Sequence, residues 1–213
     1  MRRILKQAML VLAAVLMMAT AGCGQQEEPA EQAAQTPPVQ QEQAPDDAQE
    51  EEEQPEVATP SLTAQIQQAQ QKNEDIVGWL RIDDTEIDGA VVQGKDNLTY
   101  VNTDVYGNFS LAGTIFLDTR CAPDFAGGYS LLYGHHMVSG QMFGDLEKYQ
   151  DAAFLREHRT GTLLLPDGTC TLEVFACLLV PASEEHIFRP EHWQEDVSPL
   201  LDWAEGEALC WET

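Results

Sequence analysis

The sequence predicts a mainly β domain, a closed barrel with an N-terminal helix and short helical insertions. Three observations predict it. Between residues 76 and 180 the chain breaks into short runs rich in Val, Ile, Leu, Phe and Tyr, several with the period of two that a half-buried strand needs. Turn residues such as Asp83-Asp84-Thr85 and Pro166-Asp167-Gly168 separate those runs. Helical spacing of apolar residues is confined to a few short stretches. Many short strands with few helices are the pattern of a barrel, not of alternating β and α units.

The first 60 of the 213 residues stand apart from that domain. Residues 1–22 read as an export signal. Arg2, Arg3 and Lys6 lead an apolar run over residues 8–21, shorter than the ~20 residues of a membrane span. The run ends in Thr20-Ala21-Gly22-Cys23, which resembles a bacterial lipobox with Cys23 as the lipidated residue. The alternative is an uncleaved N-terminal anchor. Both place the remainder on the extracytoplasmic face of a bacterial membrane. Residues 24–60 are Gln, Glu, Pro and Ala, with eleven acidic residues, six prolines and no Lys, Arg or aromatic residue. Such a segment cannot bury enough apolar surface to offset its chain entropy. Residues 23–60 are thus expected to be a solvated acidic tether, or else an acidic binding tail.

Residues 61–213 remain, roughly 150 residues and enough for one core. The whole chain carries a formal charge of −25, and the domain has 25 acidic against 8 basic residues. With no basic patch to meet phosphates, nucleic acid and anionic lipid surfaces are poor partners.

Residues 61–73 predict a helix, with Ser61 as N-cap and Leu62, Ile66 and Ala69 at helical spacing. Its many glutamines put it on the outside of the domain. Residues 76–82 and 87–93 predict two strands across the Asp83-Asp84-Thr85 turn. Residues 113–118 and 129–133 predict two more. Residues 143–149 and 151–158 read as short helical turns. Residues 160–165 predict a strand that returns through Pro166-Asp167-Gly168 into a long strand, 169–180, with an apolar even face. Residues 193–205 predict an amphipathic helix, and 208–211 the start of another strand.

The residue with the clearest chemistry is His135. The run Ser130-Leu131-Leu132-Tyr133-Gly134-His135 carries a histidine to the end of an apolar strand, with Gly134 permitting close approach. That placement suits a general acid or base, though a turn histidine at the surface would look the same. His136 points elsewhere if the segment is extended. Of the cysteines left after Cys23, Cys170 and Cys177 are an odd number apart on one predicted strand, so they should face opposite ways and not pair. No CxxC pair or zinc-spaced set is present, and nothing calls for a cofactor.

Four pieces in order resemble class B sortases. They are Asn73-Glu74-Asp75-Ile76-Val77-Gly78-Trp79-Leu80 with Thr85-Glu86-Ile87-Asp88, then Val91-Val92-Gln93-Gly94-Lys95-Asp96-Asn97 with Tyr100. Gly113-Thr114-Ile115-Phe116-Leu117-Asp118 follows, and then Tyr133-Gly134-His135 with Met137, Met142 and Phe143. The resemblance spans about residues 73–180. It implies a sortase-like closed β-barrel and an extracytoplasmic cysteine transpeptidase. Such enzymes cleave a sorting motif of the LPxTG or NPxTN kind through an acyl-enzyme. They pass the acyl group to an amine of a peptidoglycan precursor or a pilin lysine. His135 matches the catalytic histidine. Asn97, Val101 and Tyr133 match positions lining the substrate groove. Read without the resemblance, Asn97 caps a turn, Val101 is core and Tyr133 packs.

Two family features are missing. The nucleophile's Thr-Leu-x-Thr-Cys motif and the arginine on the following strand have no counterpart here. Cys210 lacks the motif, Cys170 and Cys177 precede the predicted helix, and Cys121 precedes the histidine. No catalytic cysteine is therefore assigned, and the expectation is a chain that ends before the last two barrel strands. Gly89-Ala90 also stands where the family often has a proline. The competing reading is a non-catalytic lipoprotein whose sortase-like barrel binds a peptide or cell-wall stem. An unrelated exported binding lipoprotein with a structural His135 stands behind it.

Overall fold

The structure is a computed structural model that describes residues 11–16 and 62–212. Cys23 and the 23–60 tether lie outside the described residues, as does Ser61, the expected cap of the first helix. The chain order is β1 (Val11–Leu16), α1 (Leu62–Gln70), β2 (Ile76–Ile82), β3 (Asp88–Val92), β4 (Ile115–Leu117) and β5 (Ser130–His135). Then come α2 (Ala152–Glu157), β6 (Thr160–Leu165), β7 (Gly168–Glu173), β8 (Ala176–Cys177), α3 (Glu185–Phe188), α4 (Ser198–Glu207) and β9 (Cys210–Trp211). Short 3-10 turns sit at Thr99–Val101, Gly144–Gln150 and Pro190–Trp193.

Seven strands form one curled half-barrel sheet in the order β1-β5-β4-β3-β2-β6-β7. The β1/β5 and β3/β4 pairs are parallel and the others antiparallel. Strands β8 and β9 pair separately. The mainly β architecture with an N-terminal helix and short helical insertions is the one the sequence predicts. Val11–Leu16, inside the expected signal segment, runs as β1 alongside the His135 strand, with Leu16 opposite His135.

Alternation sorts the strands into two faces. Leu80 and Ile82 of β2, Val91, Leu117, Leu131 and Leu163 fill the main core, closed by Leu155 of α2, Ile187 of α3 and Leu200 of α4. The opposite face carries a smaller cluster of Ile76, Val92, Tyr100 and Phe116. A register shift in β2 between Ile76 and Gly78 lets Ile76 join the second cluster. Helix α1 covers the sheet through Ile66, which is 2 % exposed. Its glutamines do more than face solvent. Gln70 donates to the Ile76 carbonyl at 2.8 Å and Gln67 to that of Pro166 at 3.2 Å.

Two sequence expectations change. The long strand over 169–180 is two strands, β7 and β8. Pairing with β6 runs on until the Val174 amide donates to Arg159 O at 2.7 Å. Then Phe175 packs edge-on against Trp211, and Ala176 and Cys177 take β9 as partner. Alternation reports a strand's faces and is silent on a change of partner. The helix expected at 193–205 is a 3-10 turn at Pro190–Trp193 followed by α4, ten residues long. Pro199 sits in the first turn of α4, where its missing N–H costs nothing.

Candidate active site

β5 runs apolar through Leu131 and Leu132, both fully buried, and then surfaces at Tyr133, Gly134 and His135. A tight reversal fixes its end. Gly140 and Met142 both adopt positive φ, at 85° and 54°, and Phe143 N–H then donates to His135 O at 2.9 Å. The Phe143 ring lies across Gly134, where a Cβ would come within 2.8 Å of ring carbon. Any side chain at residue 134 would therefore displace the Phe143 ring or the strand that presents His135.

His135 Nε2 lies 2.7 Å from the carbonyl oxygen of Val101. A carbonyl can only accept, so Nε2 carries the proton. In the neutral ring Nδ1 then holds the lone pair, which suits an acid–base group anchored by one nitrogen and working through the other. Val101 thus contributes its backbone, while its side chain packs beside Phe116 and Tyr133 in the second cluster.

Tyr133 is two residues before His135 and shares its face of β5. Its ring stacks on Phe116 at 5.0 Å and faces Phe188 of α3 at 6.4 Å. Its hydroxyl donates to Asp118 Oδ2 at 2.8 Å, and Asn97 Nδ2 donates to the same oxygen at 2.9 Å. Asn97 Oδ1 accepts from the Thr119 amide, so its side chain is held at both ends. The structure therefore brings the four predicted residues together in two linked pairs. His135 is tied to Val101, and Tyr133 and Asn97 are tied to one carboxylate.

That carboxylate went unassigned at the sequence level. Asp118 is 0 % exposed and also accepts from the Arg120 backbone amide, Nε and Nη2 at 2.8–2.9 Å. Burial pushes its carboxyl up, but the Arg120 hydrogen bonds outweigh burial and hold it below the usual carboxylate range. The Arg120 guanidinium is held further above its ordinary value by the same bonds. It also donates to Glu191 at 2.9 Å and to Phe188 O at 2.9 Å. Arg120 thus ties the Asp118 turn to Phe188 and Glu191. The available signal was the Asp-x-Arg spacing after an apolar strand, which reads as an ordinary turn until its partners are known.

No cysteine sulfur is hydrogen-bonded to His135 among the described residues. Cys121 is buried and its sulfur accepts from Leu131 N at 3.4 Å. Burial pushes the Cys121 and Cys177 thiols up, the reverse of an activated nucleophile. His136 bonds Glu147 at 2.9 Å, a partner different from that of His135, as an adjacent residue on an extended segment should. A separate cleft of about 490 Å³ opens between α1, Trp79 and Tyr106. None of the four predicted residues lines it.

Two expected outcomes follow from this geometry. Gly113 has φ +60°, and a Cβ there would collide with the carbonyl oxygens of Tyr100 and Val101. Gly113→Ala should cost about 1–3 kcal/mol. It should also shift the ¹⁵N resonances of the His135 ring, because it moves that ring's anchor. A urea midpoint and ring resonances matching the parent would contradict this. The Asp118 carboxyl is depressed on folding, so its contribution to stability is complete above its unfolded value of about 3.9 and is lost as pH falls through the folded value. The stability gap between the parent and Asp118→Asn should therefore be constant from pH 7 to 5 and narrow below pH 4. A gap that widens on acidification would show the opposite shift.

A curled half-barrel sheet with short helices, and a histidine at the end of its buried β5 strand, defines a sortase-type fold. No protein-family profile matches the chain. It is similar to Sortase B of Listeria monocytogenes, 43% identical over 112 residues, covering 53% of this chain and 46% of that protein. It is also similar to Sortase B of Staphylococcus aureus, 30% identical over 138 residues, covering 65% and 57%. The chain thus spans about half the length of the curated relatives it matches. Among solved structures, it resembles Spy0129, a Streptococcus pyogenes class B sortase involved in pilus biogenesis, with TM-score 0.64 and 30% identity over 70% of this chain and 81% of that one. It also resembles the crystal structure of Staphylococcus aureus Sortase B, with TM-score 0.65 and 27% identity over 70% of each chain. The chain belongs to the class B sortase family.

Proposed function

We propose that this protein is an extracytoplasmic cysteine transpeptidase in which residues 62–212 supply the histidine and one wall of the peptide groove. The observation that carries the reading is the His135 ring, fixed through Nε2 to the Val101 carbonyl at 2.7 Å beside the Tyr133 and Asn97 groove. In this reading a cysteine thiolate attacks the carbonyl carbon of a sorting motif of the LPxTG or NPxTN kind. His135 gives a proton to the departing amine, leaving a thioester. An incoming amine from a peptidoglycan precursor or a pilin lysine then attacks the thioester. His135 takes its proton, and the thiolate leaves. Similarity to a Staphylococcus aureus sortase B solved as a substrate complex supports a peptide in this groove.

Residues 1–22 and Cys23 would anchor the protein to the outer face of the membrane, by lipid or by an uncleaved segment. The acidic 23–60 segment would set its reach. Holding enzyme and membrane-bound substrate in one thin layer raises their effective concentration. The test is turnover of a quenched sorting-motif peptide by the full-length gene product and by its His135→Ala variant. Cleavage that needs His135 supports the transpeptidase. Peptide binding without any cleavage would favour a sortase-like binding lipoprotein.

A further inference from the structure

The geometry points to Cys177 and Cys210 as a cross-strand disulfide site that staples β9 to β8 and closes the segment between them. The two residues are direct register partners in the antiparallel β8/β9 pair. Partners in such a ladder stand about 4.5–5.5 Å apart at Cα. That lies within the span of about 4.4–6.8 Å that a disulfide bridges. The short ladder is held around them. The Leu209 amide donates to Cys177 O at 2.9 Å, the Glu212 amide donates to Phe175 O at 2.7 Å, and Phe175 packs edge-on against Trp211 at 5.0 Å. Arg156 of α2 adds a contact to Glu212 at 3.4 Å. Cys177 and Cys210 are both free thiols in the structure, and the Cys210 thiol donates to Gln150 O at 3.1 Å, a bond that it gives up on oxidation. The other two described cysteines have partners on other strands. Cys170 lies opposite Leu163 in β6/β7, and Cys121 packs against β5.

The bond needs an oxidant, and a small-molecule disulfide of the glutathione class suffices. The half-buried Cys177 is the accessible partner. Its thiolate attacks one sulfur of the small disulfide and expels one thiolate. The Cys210 thiolate then attacks the Cys177 sulfur and expels the second. Two protein thiols become one disulfide, and the two protons end on the two released small thiols. Burial, with the neighbouring Cys210, pushes the Cys177 thiol up to about 11. The exchange is therefore slow near neutral pH, which suits a structural staple and not a fast redox sensor. Such a bond persists in an oxidising compartment, which the N-terminal export signal would provide.

The closed segment, 178–209, carries Phe188 and Glu191, which brace Tyr133 and Arg120 in the groove wall. The staple would therefore limit how far that wall can move away. The chemistry makes no use of His135, so it stands or falls apart from the transpeptidase reading.

The test uses the full chain, folded and reduced, then incubated with oxidised glutathione. Free thiols are capped, and the protein is cut with a glutamate-specific protease without reductant. The expected product is peptide 174–184 joined to peptide 208–212, with neither cysteine capped. The oxidised chain should melt on the order of 5–10 °C above the reduced one, as closing a loop of roughly 30 residues implies. Cys177→Ser should abolish that rise. Two capped peptides, a linkage through any other cysteine, or an oxidised chain that melts no higher than the reduced one would each overturn the assignment.

Discussion

On the transpeptidase reading proposed above, replacing His135 with alanine in the full-length protein should lower acyl transfer by roughly 10²–10⁴-fold, the range that one positioned acid–base group supplies. It should leave the fold nearly unchanged. The ring is half-buried at a strand end, and its Nε2 hydrogen bond runs to the backbone carbonyl of Val101. Losing it opens the Val101 carbonyl to solvent and removes no core contact, so the urea midpoint should move by well under the equivalent of about 1 kcal/mol. His135→Gln sharpens the test. Its amide can still donate to Val101 O, but it cannot shuttle a proton near neutral pH. If either variant keeps turnover close to that of the parent, His135 is not the acid–base group. If either unfolds, the histidine is structural.

Asp118→Ala should be the most destabilising single change in the groove, at about 3 kcal/mol. Breaking a buried ion pair by removing one partner costs roughly 3–5 kcal/mol, because the other charge is left without compensation. Arg120 is 39% exposed and keeps Glu191, which places the cost at the low end. The Tyr133 hydroxyl and the Asn97 amide lose their shared acceptor at the same time. On the transpeptidase reading, peptide affinity should therefore fall even where the protein stays folded. Asp118→Asn should be milder in stability, since one amide oxygen still accepts. It should also weaken the groove, because its NH₂ faces donors. A urea midpoint for Asp118→Ala within experimental error of the parent would show that the network is dispensable.

How much of this could be read before the structure varies with the kind of interaction. β2 and β6 fall on residues 76–82 and 160–165 as alternation and turn chemistry predict. The α2 turn begins where Asp151 caps it, its carboxylate accepting from the amides of Ala153 and Phe154. These are local signals carried by adjacent residues. That a histidine ends the apolar Ser130–His135 strand was legible, because the run of adjacent residues carries it. Tyr133 and Asn97 stood out only as positions in a resemblance. Neither residue type announces that both donate to one carboxylate, 15 and 21 residues away in sequence.

The sequence by itself determined the period of each strand, the turns between them, the acidic character of the chain and the histidine at the strand's end. Each of those is settled within a few residues by sterics and by the burial of alternate side chains. Only the tertiary structure decided which strand lies beside which. That choice sets Cys177 opposite Cys210, breaks the 169–180 strand where its partner changes, and makes Asp118 the shared acceptor of Tyr133 and Asn97. A hydrogen bond or a cross-strand pair is a property of two distant segments. Its energy depends on distance and burial, which no run of neighbouring residues contains.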